Sequence, residues 1–253
     1  MKKYFKVILV LVMALSFYNP AEVFAAQEGI LRVGTESSFP PFVFRDDSGN
    51  LAGFDVDLAR SVASRLDKEI VFVDMAFDAL LPALSAGKID MVVAGLSVTP
   101  ERLKRADFSR PYFFTHDAIV VRKEKPGPRD TNWLKSRKVT VQAGTIHDEY
   151  LTSMGGVEIL RFQKSGEALR WVLEGRADAS FMDGVSAERY LADDPSFGEG
   201  LVVAFSGRVT SEAMGFAVRK IDELLLEEVN SALEALSAEG YLDDLGKKWF
   251  RKS

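Results

Sequence analysis

Two short runs hold residues suited to gripping a ligand. Gly87-Lys88-Ile89-Asp90 leads into the apolar Met91-Val92-Val93-Ala94 and stops at Gly95. Gly175-Arg176-Ala177-Asp178 leads into Ala179-Ser180-Phe181-Met182 and stops at Asp183. The runs lie 88 residues apart, and in each the eighth residue after the glycine falls where a strand should end. A second pair points the same way: Leu31-Arg32-Val33 reaches Gly34-Thr35, and Val139-Thr140-Val141 reaches Gly144-Thr145. Open α/β sheets bind ligands outside the carboxyl ends of their strands. The chemistry on offer is recognition. Asp183 can receive a cation, and Thr145 opens a helix whose free N–H groups and dipole favour an anion. Glycine-turn-strand is also ordinary βα punctuation, and Asp183 has a second, compatible reading as the N-cap of a helix starting near Val185. Two copies of the run imply two similar α/β halves facing one cleft.

Composition excludes several other classes. With two His and no Cys a zinc site is not expected, and no Ser–His–Asp spacing, P-loop or metal cluster appears. No metal and no cofactor are therefore expected. Residues 1–25 read as a signal peptide: Lys2, Lys3 and Lys6 precede an apolar stretch from Val7 to Phe17, and Val23-Phe24-Ala25 supplies small residues for cleavage near Ala25-Ala26. That stretch is too short to span a bilayer, which takes about 20 residues. No cysteine follows it, so a lipid anchor is not expected. Cleavage moves the formal charge from −5 to −7, which disfavours nucleic acid and anionic lipid as partners. An exported chain without disulfides relies on apolar burial, and about 228 residues suffice for one or two cores.

The elements needed to position these groups alternate along the chain. Leu31–Val33 reads as a strand, followed by a hairpin-like turn at Asp46-Asp47-Ser48-Gly49-Asn50. Asp55 reads as the N-cap of a helix whose apolar face is Val56, Ala59, Val62, Ala63 and Leu66. Ile70–Val73 is a strand, a helix runs from about Asp78 to Ser85, and Met91–Ala94 is a strand. Thr99 caps a helix with Pro100 at its first position. Strand Ala118–Val121 and the polar connection Lys123–Arg129 precede a second series: strand Val139–Gln142, a helix from Ile146, strand Glu158–Phe162, helix Ser165–Glu174, then strands Ala177–Met182 and Leu201–Phe205. Ala213–Val218 reads as one strand, and Ile221–Ser237 and Tyr241–Phe250 as closing helices. The tail after Thr210 is too small for a domain and should pack back on the first half. This gives crossings near Thr115–Ala118 and Gly207–Ser211 that define a hinge. The expected lobes are residues 27–115 plus 212–253, and residues 116–211.

The ordered set VGTESSFPPF, GFDVDLA, FDALLPALSAGKIDMVVAGLSVTPERLKRADFSRPY, GTIHDEY, GRADASFMD and GYLDDLGKKWF resembles the type II extracellular solute-binding proteins. Within them it resembles the polar-amino-acid branch, the family 3 receptors of ABC importers. The resemblance covers nearly the whole mature chain. It implies a two-lobed α/β "Venus flytrap" fold of type II with two crossovers at the hinge. It further implies a periplasmic monomer that binds a polar, basic or amide-bearing L-amino acid and delivers it to a membrane permease.

It also implies roles, residue by residue. Arg102 matches the family's arginine in the T-P-E-R run, and its guanidinium presents two parallel donors to a carboxylate. Thr145 would hold the same carboxylate from the other lobe. Asp183 would receive the ammonium, shared with the Gly95 carbonyl and the Ser97 hydroxyl. Glu36, Phe39 and Phe77 match the positions that select the side chain, with the two rings around an aliphatic stem or a cation. Glu36 favours a cationic or amide-bearing ligand over an acidic one. His147 departs from the glutamine or small polar residue expected two positions after Thr145. Out of this context Arg102 reads as a solvated first-turn arginine and Phe39 and Phe77 as core; Met182 and His116 lie near the cleft without an assigned role, and His116 reads as a surface residue in preference to a pH switch.

Two other functions fit such a fold. A periplasmic dehydratase of the cyclohexadienyl type would recruit Glu36 or Asp183 as acid or base, although both already have binding roles. A soluble sensor would dock to a separate receptor.

Overall fold

The computed structural model describes residues 29–125, 127–128, 130–210 and 213–250. The expected signal segment and cleavage site lie outside the described residues, as do Pro126, Arg129 and Ser211.

Two five-stranded sheets share one plan. In the first, the order is Glu69–Asp74, Ile30–Thr35, Met91–Val92, Ala217–Val218 and Asp107–Phe108. In the second it is Glu158–Phe162, Lys138–Gln142, Ala179–Asp183, Asp117–Arg122 and Leu201–Gly207. In each sheet the second and third strands run parallel, and the fourth pairs antiparallel to the third. That fourth strand is the one that has just arrived from the other sheet. The chain passes to the second sheet between Phe114 and Asp117 and comes back between Gly207 and Ala213, with Phe113–Phe114 and Ala213–Met214 paired to each other as a two-stranded sheet. The described residues from Leu31 onward form one compact unit.

The repeated glycine run has a concrete task. The backbone N–H of Arg32 donates to the Asp90 carboxylate and that of Lys138 to the Asp178 carboxylate, each at 3.0 Å. The N–H of Asp90 donates to Arg32 O and that of Asp178 to Lys138 O, each at 2.8 Å. The aspartate thus locks the start of one strand to its neighbour, and the register that follows carries Gly95 and Asp183 to equivalent ends.

The Gly-Thr pairs are not equivalent, contrary to the sequence expectation. Val33 pairs with Met91 in one sheet and Val139 with Ala179 in the other. Counting along these registers places Thr35 opposite Val141 in the comparison of halves, and Glu36 opposite Gln142. Thr35 is a buried strand residue donating to Val93 O, whereas Thr145 caps the helix Ile146–Met154.

Both faces of each sheet are covered, so the strands read as continuous apolar runs. Met91 and Val93 join the core formed with helix Phe54–Arg65, while Val92 and Ala94 join Leu80, Leu84 and Ile89 on the other face. In the second sheet Ala118 and Val120 point to one core and Ile119 and Val121 to the other.

Several boundaries differ from expectation. Asp55 is not the cap of the first helix: Gly53 precedes it with φ of 127° and without room for a side chain, because a Cβ would lie 2.2 Å from Phe42 O. Ala213–Val218 splits into Ala213–Met214, paired with Phe113–Phe114, and Ala217–Val218 in the first sheet. Between them the N–H groups of Gly215 and Phe216 turn to Leu96 O and Ser109 Oγ. The helix expected from Asp78 opens as a tighter turn, Phe77–Ala79, before Leu80–Ser85. The short helix Pro195–Gly200 was not among the expected elements, although Asp194 caps it and Pro195 opens it as Thr99 and Pro100 do for theirs.

Candidate functional site

The strand ends of both sheets and the first crossing line a cavity that is partly open to solvent. Eight of the nine sequence-selected residues line it: Phe39, Phe77, Gly95, Ser97 and Arg102 from one lobe, and Thr145, His147 and Asp183 from the other. Glu36 does not line it. Its carboxylate accepts from Ser38 N and Ser38 Oγ and from Gln142 Nε2, each at 2.9 Å. Gln142 takes its place on the wall.

Arg102 sits in the helix Pro100–Leu103, where Thr99 caps through Oγ1 onto the Arg102 N–H at 3.2 Å. The residue is only 4% exposed, so the solvated first-turn alternative does not hold. Its Nη1 donates to Ser97 O at 2.9 Å and its Nη2 crosses the cleft to Gly144 O at 3.0 Å. The Phe77 ring centre lies 5.6 Å from the guanidinium carbon. Burial draws this guanidinium down to about 10, with the half-exposed Glu149 pulling the other way. It stays cationic at neutral pH.

Asp183 both caps and lines. Its Oδ1 accepts from the Ser186 N–H at 2.7 Å, starting the helix Gly184–Asp193, and its Oδ2 accepts from Thr115 Oγ1 in the first crossing. Burial raises its pKa, and those two donors offset only part of the effect. A buried carboxylate with a raised pKa gains most from an incoming cation.

Gly95 holds φ of 57°, and a Cβ there would fall 2.2 Å from Phe39 Cε1. Phe39 therefore packs directly on bare backbone, with its other side stacked on Phe42 at 4.8 Å. Phe39 and Phe77 also belong to the two cores of the first lobe, so the core and cavity readings are both satisfied. The Gly95 N–H donates to Asp55 Oδ2 at 2.6 Å, and Tyr112 Oη donates to the same oxygen at 2.9 Å. Burial raises Asp55 to about 7. This acid fixes the Gly95 peptide from inside the lobe.

Thr145 Oγ1 donates to Gln142 O at 2.8 Å while capping its helix. His147, in the first turn, directs Nε2 to Asp117 Oδ1 at 2.8 Å and lies edge-on to Phe181. His116 is half-buried, with its ring against Gly184.

Sequence reasoning missed Thr115, Asp117, Gln142, Ser165, Phe181 and Met214 on the wall, and gave Met182 no role. One signal was available. Gln142 ends a parallel strand, as Asp183 does, and the strand-end rule applies to both. Asp117 begins an antiparallel strand, whose amino end shares that edge; it lies directly opposite Asp183 in the ladder.

Hydrogen bonds also join the lobes outside the cavity: Tyr190 Oη donates to Ser38 O at 2.7 Å, beside the Gln142–Glu36 contact. Two sheets of one plan, joined by two crossings and lining a polar cavity, define a two-lobed binding protein of the Venus flytrap type. Residues 31–252 match the sequence model of the bacterial extracellular solute-binding proteins, family 3, and this chain belongs to that family. The histidine-binding periplasmic protein of Escherichia coli strain K12 is 30% identical over 254 residues, covering 97% of this chain and 96% of that protein. The L-arginine-binding protein of Pseudomonas aeruginosa is 34% identical over 234 residues, covering 90% of each. Among solved structures, an ancestral arginine-binding protein bound to arginine superposes with a TM-score of 0.84 at 40% identity, covering 88% of this chain and 99% of that one.

Proposed function

We propose that this chain is the periplasmic receptor of an ABC importer for a basic L-amino acid, with arginine the first choice, and that it acts as a monomer and not as an enzyme. The observation that carries this reading is a buried cation and a buried acid on opposite walls of one cavity: Arg102, 4% exposed, from the first lobe, and Asp183, 6% exposed, from the second. An amino acid laid between them would set its carboxylate on the Arg102 fork and on the helix start at Thr145. Its ammonium would meet Asp183, Gly95 O and Ser97 Oγ. Its side chain would pass between Phe39 and Phe77 toward Gln142 and the Glu36 carboxylate behind it. That carboxylate favours a guanidinium or ammonium and repels an acidic ligand.

The names of the relatives for histidine and arginine support a cationic side chain. A dehydratase reading is less favoured: Glu36 stands behind Gln142 and off the cavity wall, and Asp183, the acid on that wall still able to take a cation, is assigned to the ammonium. Residues 1–25 are proposed as the cleaved signal, and 116–211 as the lobe inserted between the two parts of the other.

A thermal-shift screen with L-arginine, L-lysine, L-ornithine, L-histidine, L-glutamine, L-glutamate and prephenate tests the proposal. A ligand at a thousand times its Kd adds about 4 kcal/mol of stability. A large upward shift with the basic amino acids and none with glutamate or prephenate is expected. A shift confined to prephenate would replace this reading with the enzymatic one.

A further inference from the structure

Asp117 lines the cavity, yet all of its acceptor capacity is already taken. His147 Nε2 and Thr210 Oγ1 reach Oδ1 at 2.8 and 2.6 Å. The N–H groups of Val209 and Thr210 reach Oδ2 at 2.7 and 2.8 Å. A carboxylate has about four lone-pair sites, so nothing remains for a ligand. Its neighbour across the ladder, Asp183, accepts only from Ser186 N and Thr115 Oγ1 among the described hydrogen bonds. The two opposed acids are therefore unequal: one is saturated by the protein and the other can still take a cation.

Three of the four donors on Asp117 come from the second crossing, and the fourth is a cavity-wall imidazole. We infer that Asp117 is a positioning residue that ties His147 in the cavity wall to Val209 and Thr210 in the hinge, so that occupancy of the cavity is felt at the second crossing. This rests on the reading of the cavity as the amino-acid site.

The chemistry of the contact is well defined. Burial alone would raise the Asp117 carboxyl, but the bonds from His147 and Thr210 outweigh it and hold the group down at about 2. An ionised acceptor requires a proton on His147 Nε2, which fixes the orientation of the ring. Edge-on contact with Phe181 at 4.8 Å holds the ring from the other side. A ligand that presses on this ring must move Asp117, and a moved Asp117 strains three bonds to the crossing. The first crossing is tied to the cavity in the same way, through Thr115 and Asp183.

Amide hydrogen exchange at Val209 and Thr210 tests the inference, first on protein without ligand and then with L-arginine as probe. His147→Phe keeps a ring against Phe181 and removes the donor. His147→Gln restores an N–H donor. Thr210→Val removes the Oγ1 donor at a residue outside the cavity wall. His147→Phe is expected to speed exchange at both amides by about tenfold or more, and His147→Gln to stay within about threefold of wild type. With L-arginine, Thr210→Val is expected to weaken binding by about three- to tenfold, and its effect is expected not to add to that of His147→Phe, because both loosen one carboxylate. Unchanged exchange at both amides in His147→Phe, or strictly additive effects on affinity, overturns the inference. The ligand-free exchange stands by itself. If L-arginine and the other amino acids fail to bind wild type, the proposed function fails while the exchange result still decides whether His147 reaches the hinge.

Discussion

Glu36 and Gln142 hold the same position in the two sheets and meet across the cleft, Gln142 Nε2 donating to Glu36 Oε2 at 2.9 Å. The second N–H of that amide goes to Gln163 O at 2.9 Å, and Ser165 Oγ donates to its oxygen at 3.1 Å. The amide is thus fully oriented and stands between the cavity and the acid. Burial raises the pKa of Glu36, so a cation arriving at this end would be welcome. Glu36→Gln should cost a cationic ligand about 1.5–3 kcal/mol, roughly ten- to a hundredfold in Kd, and a neutral one such as L-glutamine much less. Calorimetry with both ligands checks it; equal losses would remove Glu36 from the specificity account.

Arg102 spans from Ser97 O to Gly144 O, one bond within its lobe and one across the cleft. A lysine has one ammonium on a flexible stem and cannot hold both carbonyls and a carboxylate fork together. Arg102→Lys should leave the fold intact and weaken the amino acid at least ~10-fold, about 1.4 kcal/mol. An affinity equal to wild type would show that the fork is not used.

Gly95→Ala puts a methyl group against Phe39 and a side chain at positive φ. Backbone strain and overpacking each cost about 1–3 kcal/mol, so a lower melting temperature and weaker binding are expected together. Adding Phe39→Leu should recover part of the stability. No recovery would mean that the backbone conformation alone matters.

Much of this was legible in the sequence, for physical reasons that differ by element. The Gly-x-x-Asp runs were visible because one aspartate does the same backbone job in both halves, pairing with Arg32 in one and with Lys138 in the other. Arg102, Thr145 and Asp183 were visible because helix starts and strand ends are local features with side-chain signatures. Asp117, Thr115 and Gln142 were not singled out, since their partners lie tens of residues away and become neighbours only when the lobes face each other. The false equivalence of Thr35 and Thr145 has the same root. Two Gly-Thr pairs look alike in sequence, and only the strand register separates a buried strand residue from a helix cap. Asp55 was misread because an acid two residues after Gly53 satisfies a capping pattern, while its actual partners, Gly95 and Tyr112, are distant in sequence.

Asp55 gives the stability of the protein a pH dependence with a definite sign. Its folded pKa is about 7, against roughly 3.9 in an unfolded chain, because burial disfavours the charge and the bonds from Gly95 and Tyr112 only partly compensate. Between those values the native state holds a proton that the unfolded state has lost. The native state is therefore favoured at the acidic end of that window, and stability falls as pH rises from about 4 to about 7 and is flat for this group above that. The full change is on the order of 4 kcal/mol. Asp55→Asn keeps an acceptor for the Gly95 N–H and should lack this slope. Urea unfolding of both proteins at pH 5 and pH 8 measures the difference, and identical slopes would show that Asp55 does not titrate in this range.

Asp183 carries the most direct test of binding by closure. It is the acid that remains open to a cation beside the saturated Asp117, and it belongs to the lobe opposite Arg102. A ligand favours the closed form only through contacts it makes better there, and an ammonium on Asp183 is such a contact. Asp183→Asn separates charge from capping, because asparagine also caps helices well and can still accept from Ser186 N. Its stability should stay within about 1 kcal/mol of wild type. Removing one partner of a desolvated ion pair costs ~3–5 kcal/mol, so L-arginine should bind a hundredfold or more weaker. Small-angle scattering should then show wild type becoming more compact with L-arginine and the variant unchanged at the same concentration. The raised pKa of Asp183 adds a second signature: wild-type affinity should decline as acid protonates that carboxyl, and the variant should show no such decline. If Asp183→Asn binds and compacts like wild type, the residue is a helix cap only, and the ammonium is held elsewhere in the cavity.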